Sequence, residues 1–202
     1  MPAAEQAIRE LRRFARSVEV TLPEVEVALP ALRSLLSSAG VPYLVVGGVA
    51  VIHHGYERTT KDLDVLIGGG CEASIDPLLS RFGFQRLSSA RLRHEPTGVQ
   101  VDTLVAGRAM VGPRPHVLPE PDSLGSSAAD PHIVSLRGLV ELKLRAHRQQ
   151  DIADVVALLK LRSELEYIEL EGALARELRP ELFRLWSDAQ EELSWARENE
   201  PE

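Results

Sequence analysis

The sequence has 202 residues, of which 44% are apolar, 4% aromatic and 26% charged, and its formal net charge is −7. This length fits one large domain or one domain with a helical extension, and the apolar content excludes an intrinsically disordered chain. The single cysteine, Cys71, excludes an intrachain disulfide and a cysteine-based zinc cluster. No apolar stretch approaches the roughly 20 residues of a membrane-spanning helix, and the charged N-terminal segment lacks a signal-peptide pattern. We therefore expect a cytoplasmic protein with no membrane contact.

Charge is distributed unevenly along the chain. Residues 81–114 contain six arginines against two acids, and residues 131–162 contain six basic residues against three acidic ones. Residues 163–202 reverse the balance, with twelve acidic residues and four arginines. A positive middle segment could bind a phosphate-rich ligand, although ordinary surface charge explains the same pattern.

Hydrophobic periodicity predicts alternating helices and strands in the first half of the chain. The predicted helices cover residues 4–18, 24–39, 49–54 and 74–82, and the predicted strands cover residues 43–46, 62–67, 85–87, 91–94 and 99–105. The last two strands flank a Pro-Thr-Gly turn and are expected to form a hairpin.

The second half begins with a loop and continues as helices. Residues 111–131 are rich in Pro, Gly and Ser and are predicted to be loop, with a short strand at 116–118. Ser135 is expected to cap a helix over 136–148, and Asp151 a helix over 152–161. Residues 164–197 are expected to hold two more helices with a break at Pro180.

These elements predict an α/β fold. It has a small mixed sheet with helices on one face, followed by a helical C-terminal part. The expected division is N-terminal helices over 1–40, a sheet-containing core over 41–135, and a helical part over 136–202 that closes a cleft.

Two aspartates mark the predicted strand at 62–67. Because successive side chains of a strand alternate between its faces, Asp62 and Asp64 share one face, and Leu63, Val65 and Ile67 form the opposite, core-facing row. Paired carboxylates repel each other unless a cation neutralises them, and they are the ligands that Mg²⁺ or Mn²⁺ prefers. A solvated strand end would give the same short pattern.

A third aspartate lies in the middle of another predicted strand. Asp102 is flanked by Val101 and Thr103, and an aspartate at such a position is disfavoured without a partner. If the two strands are neighbours, Asp62, Asp64 and Asp102 converge. Three such carboxylates suit a two-metal phosphoryl or nucleotidyl transfer.

A glycine pair and a lysine complete the set of candidates. Gly47-Gly48 follows a strand directly, and glycines let the backbone approach an anion closely. In the predicted helix over 136–148, Lys143 falls at the centre of the apolar arc. An inward lysine needs an acid or a ligand phosphate. Two interpretations remain open: an ion pair with Asp151 or Asp154 or a snorkelling stem, and a phosphate-binding lysine facing the carboxylates.

These motifs carry a resemblance. Gly47-Gly48, thirteen further residues, Asp62-Leu63-Asp64 and then Val101-Asp102 resemble the core of the DNA polymerase beta-like nucleotidyltransferase superfamily. More narrowly, residues 46–67 (VGGVAVIHHGYERTTKDLDVLI) and 139–159 (LVELKLRAHRQQDIADVVALL) are similar to the AbiEii-type toxin nucleotidyltransferases of bacterial toxin–antitoxin systems. The resemblance covers roughly residues 40–161.

The resemblance implies a role for each matching residue. Asp62 and Asp64 would bind the divalent metals, and Asp102 would be the third carboxylate, acting as the base or as a metal ligand at the attacking hydroxyl. Gly47 and Gly48 would cradle a triphosphate, with Lys143, Arg58 and Lys61 as further nucleotide-binding residues. Asp151 and Asp154 match an acidic motif that positions the lysine or the base. One departure is Gly48, where the superfamily often has serine.

The resemblance also implies an enzyme that uses Mg²⁺ or Mn²⁺ and an NTP to move a nucleoside monophosphate onto a hydroxyl. It further implies a toxin with a cognate antitoxin as a partner. Nine arginines in stretches expected to flank the cleft favour tRNA as the acceptor, whereas the net charge and only nine aromatic residues oppose it. A protein or small-molecule acceptor and a catalytically degenerate binding protein are the alternatives.

Overall fold

The computed structural model describes residues 23–199, so the predicted helix at 4–18 lies outside the described residues. The strands are β1 (Tyr43–Val46), β2 (Leu63–Ile67), β3 (Phe84–Ser88), β4 (Arg91–His94), β5 (Gln100–Val105), β6 (Ala109–Met110) and β7 (His116–Val117). The helices are α1 (Pro23–Ser38), α2 (Gly47–His53), α3 (Glu72–Ile75), α4 (Pro121–Leu124), α5 (Leu136–Ala146), α6 (Gln149–Lys160), α7 (Glu164–Ala173) and α8 (Arg179–Glu198).

The segment predicted as one helix over 74–82 is broken into three pieces. Helix α3 ends at Ile75, and two 3₁₀ turns follow, Asp76–Leu78 and Ser80–Phe82. Pro77 lacks the backbone N–H that a continuous helix needs there, and Gly83 ends the segment at φ +74°. The single-helix prediction was wrong because it followed periodicity across a proline.

Two predicted helix boundaries also need correction. Arg148, not Asp151, is the N-cap of α6, and Asp151 lies at its third helical position, where its Oδ2 accepts a hydrogen bond from the Arg148 backbone N–H at 3.2 Å. Pro180 lies in the first turn of α8, where a missing N–H is tolerated. The break between α7 and α8 therefore precedes Pro180, at a 3₁₀ turn over Arg176–Leu178.

The main sheet has five strands in the order β1-β2-β5-β4-β3. Strands β2 and β5 are parallel, and every other adjacent pair is antiparallel. The predicted hairpin is the β4–β5 pair, and β6 and β7 form a separate two-stranded hairpin. The predicted α/β fold class, a small mixed sheet followed by a helical C-terminal part, is confirmed.

The buried apolar residues form two clusters that meet at α5. One cluster joins the sheet to α1 and α2, and the other is built from α5 to α8. Leu139 and Leu142 of α5 belong to the first cluster, whereas Val140 and Leu144 belong to the second. Helix α5 therefore fixes the helical part against the sheet, and the predicted domain boundary at 135/136 stays a prediction. Within residues 23–199, no helix has both the length and the apolar character needed to cross a lipid bilayer.

Strand register brings the candidate residues together. In the parallel pair, Asp64 lies directly opposite Asp102. In the two antiparallel pairs, Val46 lies opposite Asp64 and Arg91 lies opposite Asp102. Residues paired in this way project from the same face of a sheet, so four neighbouring strands contribute to one site.

The glycine turn after β1 packs against that site. Gly47 has φ +62°, and a Cβ on this residue would lie 1.9 Å from Oδ2 of Asp64. A Cβ on Gly48 would lie 2.5 Å from Oγ1 of Thr60. Both glycines are therefore required sterically, and Gly47 is also required by its left-handed backbone.

We expect Gly47→Ala to lower the free energy of unfolding by about 3 kcal/mol, because it combines a left-handed alanine with a clash against Asp64. Gly40→Ala is the matched control, since Gly40 has φ +64° and open space around its Cβ position. The control should lose only about 1 kcal/mol. Urea unfolding of both variants measures the difference, and equal losses would show that the contact with Asp64 is unimportant.

Candidate active site

The aspartates line a cleft of about 490 Å³ between the sheet, α5 and the β6–β7 hairpin. Its charged and histidine side chains are Asp64, Arg91, Asp102, Arg108, Arg114, His116, Lys143, Arg148 and Asp151. Its apolar lining includes Leu104, Met110, Leu118, Leu139, Leu142 and Ala146. The cleft thus combines a polar, charged region with an aliphatic wall.

Asp64 and Asp102 form a pair of like charges in this cleft. Burial raises the pKa of Asp64, and the charge of Asp102 raises it further. The charges of Lys143 and Arg148 and a hydrogen bond from the backbone N–H of Gly48 act in the opposite direction, but the net pKa stays above its usual range. Asp64 is therefore a carboxylate whose negative charge is incompletely neutralised.

Asp102 is neutralised by an arginine from the neighbouring strand. Nε of Arg91 donates to Oδ1 of Asp102 at 2.6 Å, and Nη2 donates to Oδ2 at 3.2 Å. The hydrogen bonds to Asp102 raise the pKa of Arg91 above its usual range. Both oxygens of Asp102 thus accept from one guanidinium, while Asp64 beside it makes no salt bridge with any residue that the structure describes.

Lys143 is buried and makes two ion pairs. Its Nζ lies 2.6 Å from Oδ2 of Asp154 and 3.3 Å from Oδ1 of Asp151. The interpretation of Lys143 as an ion-pair partner of Asp151 or Asp154 is therefore correct, and the lysine pairs with both. Lys143 also lines the cleft with Asp64, so its charge acts on the carboxylate pair as well.

Asp154 is the centre of the buried network. Its side chain is 0% exposed. Nη1 of Arg58 donates to both carboxylate oxygens, Oδ1 at 2.8 Å and Oδ2 at 2.7 Å, and Nε2 of Gln150 donates to Oδ1 at 2.9 Å. Burial raises the pKa of Asp154, but the bonds from Lys143, Arg58 and Gln150 outweigh it and hold the pKa below its usual range. Asp154 is therefore a structural anion that fixes Lys143 and Arg58.

Asp151 joins this network to the cleft. Its carboxylate accepts from Nε of Arg148 at 2.8 Å in addition to Nζ of Lys143. The hydrogen bond to Asp151 raises the pKa of Arg148, and the charges of Asp64 and Asp102 contribute to the same shift. Arg148 therefore lies within electrostatic reach of both carboxylates of the sheet.

The structure does not bring all of the candidate residues to the cleft surface. The candidates that line the cleft are Gly47, Asp64, Asp102, Lys143 and Asp151, and those that do not are Gly48, Arg58, Lys61, Asp62 and Asp154. Lys61 and Asp62 are exposed residues just before β2. Arg58 is held by Asp154, and its Nη2 lies 3.0 Å from the position of a Cβ on Gly48, so it borders the glycine turn.

A divalent cation fits the pair of carboxylates better than the predicted trio. Over residues 23–199, no three or more His, Cys, Asp or Glu side chains are grouped to hold a metal ion, so Asp62, Asp64 and Asp102 do not form such a group. Asp64 and Asp102 do lie side by side, and burial together with the charge of Asp102 raises the pKa of Asp64. Carboxylate oxygens are the ligands that Mg²⁺ prefers. The role of Asp62 as a third ligand stays a prediction.

The arginines that favoured an RNA acceptor are mostly paired with protein carboxylates. Seven of the nine form salt bridges, namely Arg86, Arg91, Arg108, Arg114, Arg137, Arg145 and Arg148. An RNA phosphate would have to compete with these carboxylates. The arginine-rich stretches therefore carry less free positive charge than their composition suggests.

Sequence reasoning counted Arg91 and Arg148 only as members of basic stretches and did not assign them to the site. Residues equally distant from a hairpin loop pair with each other, and Arg91 and Asp102 lie at equal distances from the four-residue loop at 95–98. Counted from the predicted Pro-Thr-Gly turn at 96–98 alone, Arg91 would lie opposite Thr103, so the signal depended on one loop residue. Gln150 carried no comparable signal, because its contact depends on the exact start of α6.

Comparisons with known proteins give no family. No protein-family model matches the chain, and no curated protein matches it. Among solved structures, the chain is similar to ANT(2")-Ia in complex with adenylyl-2"-tobramycin, at 12% identity and a TM-score of 0.45, over 84% of this chain and 99% of that chain. The solution structure of the antibiotic-resistance factor ANT(2'')-Ia gives 11% identity and a TM-score of 0.48, over 88% and 97% of the two chains.

A nucleotidyltransferase-like protein from Paracoccidioides brasiliensis gives 18% identity and a TM-score of 0.41, over 81% of this chain and 91% of that chain. Similarities this weak transfer no substrate, activity or site residue to this chain. The assignment of function therefore depends on the residues of the cleft and on the sequence motifs.

We expect Asp154→Asn to lower the free energy of unfolding by about 3–5 kcal/mol at pH 7, because it removes the buried carboxylate that pairs with Arg58 and leaves Lys143 only its longer contact with Asp151. Asp188→Asn is the matched control, since it removes the carboxylate of the exposed Arg184–Asp188 pair. The control should lose less than about 1 kcal/mol. Chemical unfolding of both variants provides the comparison.

The cost of Asp154→Asn should also depend on pH. A carboxylate whose pKa is lowered by folding stabilises the protein fully above its unfolded pKa of about 4. That stabilisation is lost as the pH falls through the lower folded pKa. The difference between wild type and variant should therefore shrink below about pH 4, and a difference that stays constant there would contradict the assignment.

Proposed function

We propose that the protein is a metal-dependent nucleotidyltransferase that moves a nucleoside monophosphate from an NTP to a hydroxyl group and releases pyrophosphate. The observation that carries the proposal is the pairing of Asp64 and Asp102 on adjacent strands, in one cleft with Lys143 and Arg148. Anionic and cationic groups placed together suit a ligand that combines phosphates with a divalent cation. The motif resemblance points to the same chemistry.

Asp64 and Asp102 would hold Mg²⁺ or Mn²⁺, with Asp62 as the third ligand that the motif implies. When bound, the cation would neutralise phosphate charge and lower the pKa of the attacking hydroxyl. Without a cation the two carboxylates would repel the triphosphate. Metal dependence therefore follows from the charge of the pair.

The chain's own residues would bind and orient the substrates. The amine of Lys143 and the guanidinium of Arg148 would bind phosphate oxygens, and Gly47 and Gly48 would let the triphosphate approach the backbone. Arg58, which borders this turn, and Lys61 are proposed as further nucleotide-binding residues. Asp102 would accept the proton of the acceptor hydroxyl, whose oxygen bonds to the α-phosphorus as the bond to the pyrophosphate oxygen breaks.

Asp151 and Asp154 would act through Lys143. Asp154 binds the Lys143 amine from within the buried network, and Asp151 binds it from the side of the cleft. A lysine held by two carboxylates keeps its position in the absence of nucleotide. We propose that these acids position the lysine for the phosphates.

The biological role that we propose is that of a cytoplasmic toxin of a bacterial toxin–antitoxin system, with a cognate antitoxin as its protein partner. The proposed acceptor is a hydroxyl of tRNA. Its support is the set of arginines in the cleft lining, Arg91, Arg108, Arg114 and Arg148. Because each of these pairs with a protein carboxylate, a protein hydroxyl is the second acceptor to test.

We expect Asp64→Asn to abolish nucleotide transfer and to leave the fold intact. Since folding raises the pKa of Asp64, its ionisation opposes folding above the folded pKa. The free energy of unfolding of the variant should therefore be about 1 kcal/mol higher than that of wild type at pH 7. This gain in stability should disappear at pH values below the pKa of Asp64 in the unfolded chain. Urea unfolding and transfer of labelled NTP are the two measurements, and retained transfer would reject the proposed site.

The acceptor can be identified by incubating the protein with each labelled NTP, Mg²⁺, total tRNA and cell extract. We expect the label to enter RNA in wild type and in no fraction for Asp64→Asn. Label in a protein band would replace tRNA with a protein acceptor. No transfer with any of the four nucleotides would favour a binding protein without catalytic activity.

A further inference from the structure

We infer that Arg91 is an exchangeable partner of Asp102: it neutralises this carboxylate in the cation-free protein, leaves it when a divalent cation binds, and then binds a phosphate of the nucleotide. This inference rests on the proposed function and adds a residue that neither the motifs nor the comparisons assign. Three features of the cleft support it.

The first feature is the way in which Arg91 occupies Asp102. Both carboxylate oxygens accept hydrogen bonds from the guanidinium, at 2.6 Å from Nε and 3.2 Å from Nη2. A cation bound between Asp64 and Asp102 would share the Asp102 carboxylate with this guanidinium. Two positive groups on one carboxylate repel each other, so cation binding favours the departure of Arg91.

The second feature is the balance of charge in the cleft. The two carboxylates already face the charges of Lys143 and Arg148. A divalent cation added while Arg91 remains would leave an excess of positive charge beside Asp102. Movement of Arg91 onto an incoming phosphate removes that excess and neutralises the phosphate in the same step.

The third feature is the contrast between exposed and buried ion pairs. The side chains of Arg91 and Asp102 are 49% and 37% exposed, whereas those of Lys143 and Asp154 are 7% and 0% exposed. Solvent screens the exposed pair, so its loss is tolerated, while rupture of the buried pair would strand a charge. Arg91, unlike Lys143, is therefore a cation of the cleft that can exchange its partner, and it lines the cleft in which the phosphates would bind.

The exchange couples the two ligands of the site. The cation binds more tightly when nucleotide is present to receive Arg91, and the nucleotide binds more tightly when the cation has released Arg91. By thermodynamic linkage the two factors are equal. In the absence of nucleotide, Arg91 holds the affinity for the cation low.

The test measures Mn²⁺ binding to the full chain by isothermal titration calorimetry and by electron paramagnetic resonance, without nucleotide. We expect Arg91→Gln to bind Mn²⁺ about fivefold more tightly than wild type, or more. Arg93→Gln is the matched control, because Arg93 lies two residues along β4 on the same face. It makes no salt bridge with the residues that the structure describes. The control removes the same charge and should stay within twofold of wild type, about the limit of such a comparison.

The second arm repeats the titrations with a non-hydrolysable NTP analogue. In wild type the analogue should tighten Mn²⁺ binding more than it does in Arg91→Gln, and Arg91→Lys should lie between them, since lysine keeps the charge but loses the two-point contact. Circular dichroism checks that each variant is folded.

The outcomes separate the inference from the proposed function. Arg91→Gln that binds Mn²⁺ no more tightly than Arg93→Gln overturns the inference and leaves the proposed function standing, provided that wild type binds Mn²⁺ and Asp64→Asn does not. Wild type that fails to bind Mn²⁺ even with the NTP analogue overturns both. Arg91→Gln could also bind Mn²⁺ more tightly while the NTP analogue still tightens Mn²⁺ binding as much as in wild type. That result would overturn the transfer of Arg91 to a phosphate.

Discussion

Two carboxylates placed side by side on adjacent strands set the requirement that the rest of the site meets. Parallel strands lie about 4.8 Å apart, and the register of β2 and β5 puts Asp64 directly opposite Asp102. Burial raises the pKa of Asp64, and the charge of Asp102 raises it further. The surrounding cations reduce this repulsion, and the site can therefore be understood as a set of positive groups arranged around two negative ones.

Those positive groups differ in how firmly they are held. Asp154 fixes Lys143 from the buried side, and it also binds Arg58, which lies far from it in the sequence. Arg91, in contrast, faces solvent and makes a pair that water screens. The buried network holds the Lys143 amine at a constant position, whereas the exposed pair gives the cleft a cation that can respond to ligands. The Lys143–Asp154 and Arg91–Asp102 ion pairs thus perform different tasks because one is buried and the other is exposed.

Much of the fold was predictable because strand and helix patterns are local. Alternation and turn residues gave the strands at 43–46 and 91–94 with their observed bounds, and the apolar arc of α5 gave the inward position of Lys143. The proximity of Asp64 and Asp102 was predictable only on the condition that their strands were neighbours.

The parts that sequence reasoning missed depend on contacts between distant residues or on single backbone atoms. Arg58 and Asp154 are 96 positions apart, and no periodicity links them. The division of α3 from the turns after it depends on one proline. The pairing of Arg91 with Asp102 depends on hairpin register, which a shift of one residue would reverse.

The glycine turn shows how a departure from a motif can be explained by packing. The superfamily that the motifs resemble often has serine where this chain has Gly48. Here Oγ1 of Thr60 lies 2.5 Å from the position of a Cβ on residue 48 and donates a hydrogen bond to the backbone oxygen of Asp62 at 3.1 Å. A serine at position 48 would displace Thr60 and with it the start of β2, whose second residue is Asp64. Gly48 and Thr60 are therefore a matched pair, because the hydroxyl of Thr60 can occupy its position only when residue 48 has no side chain.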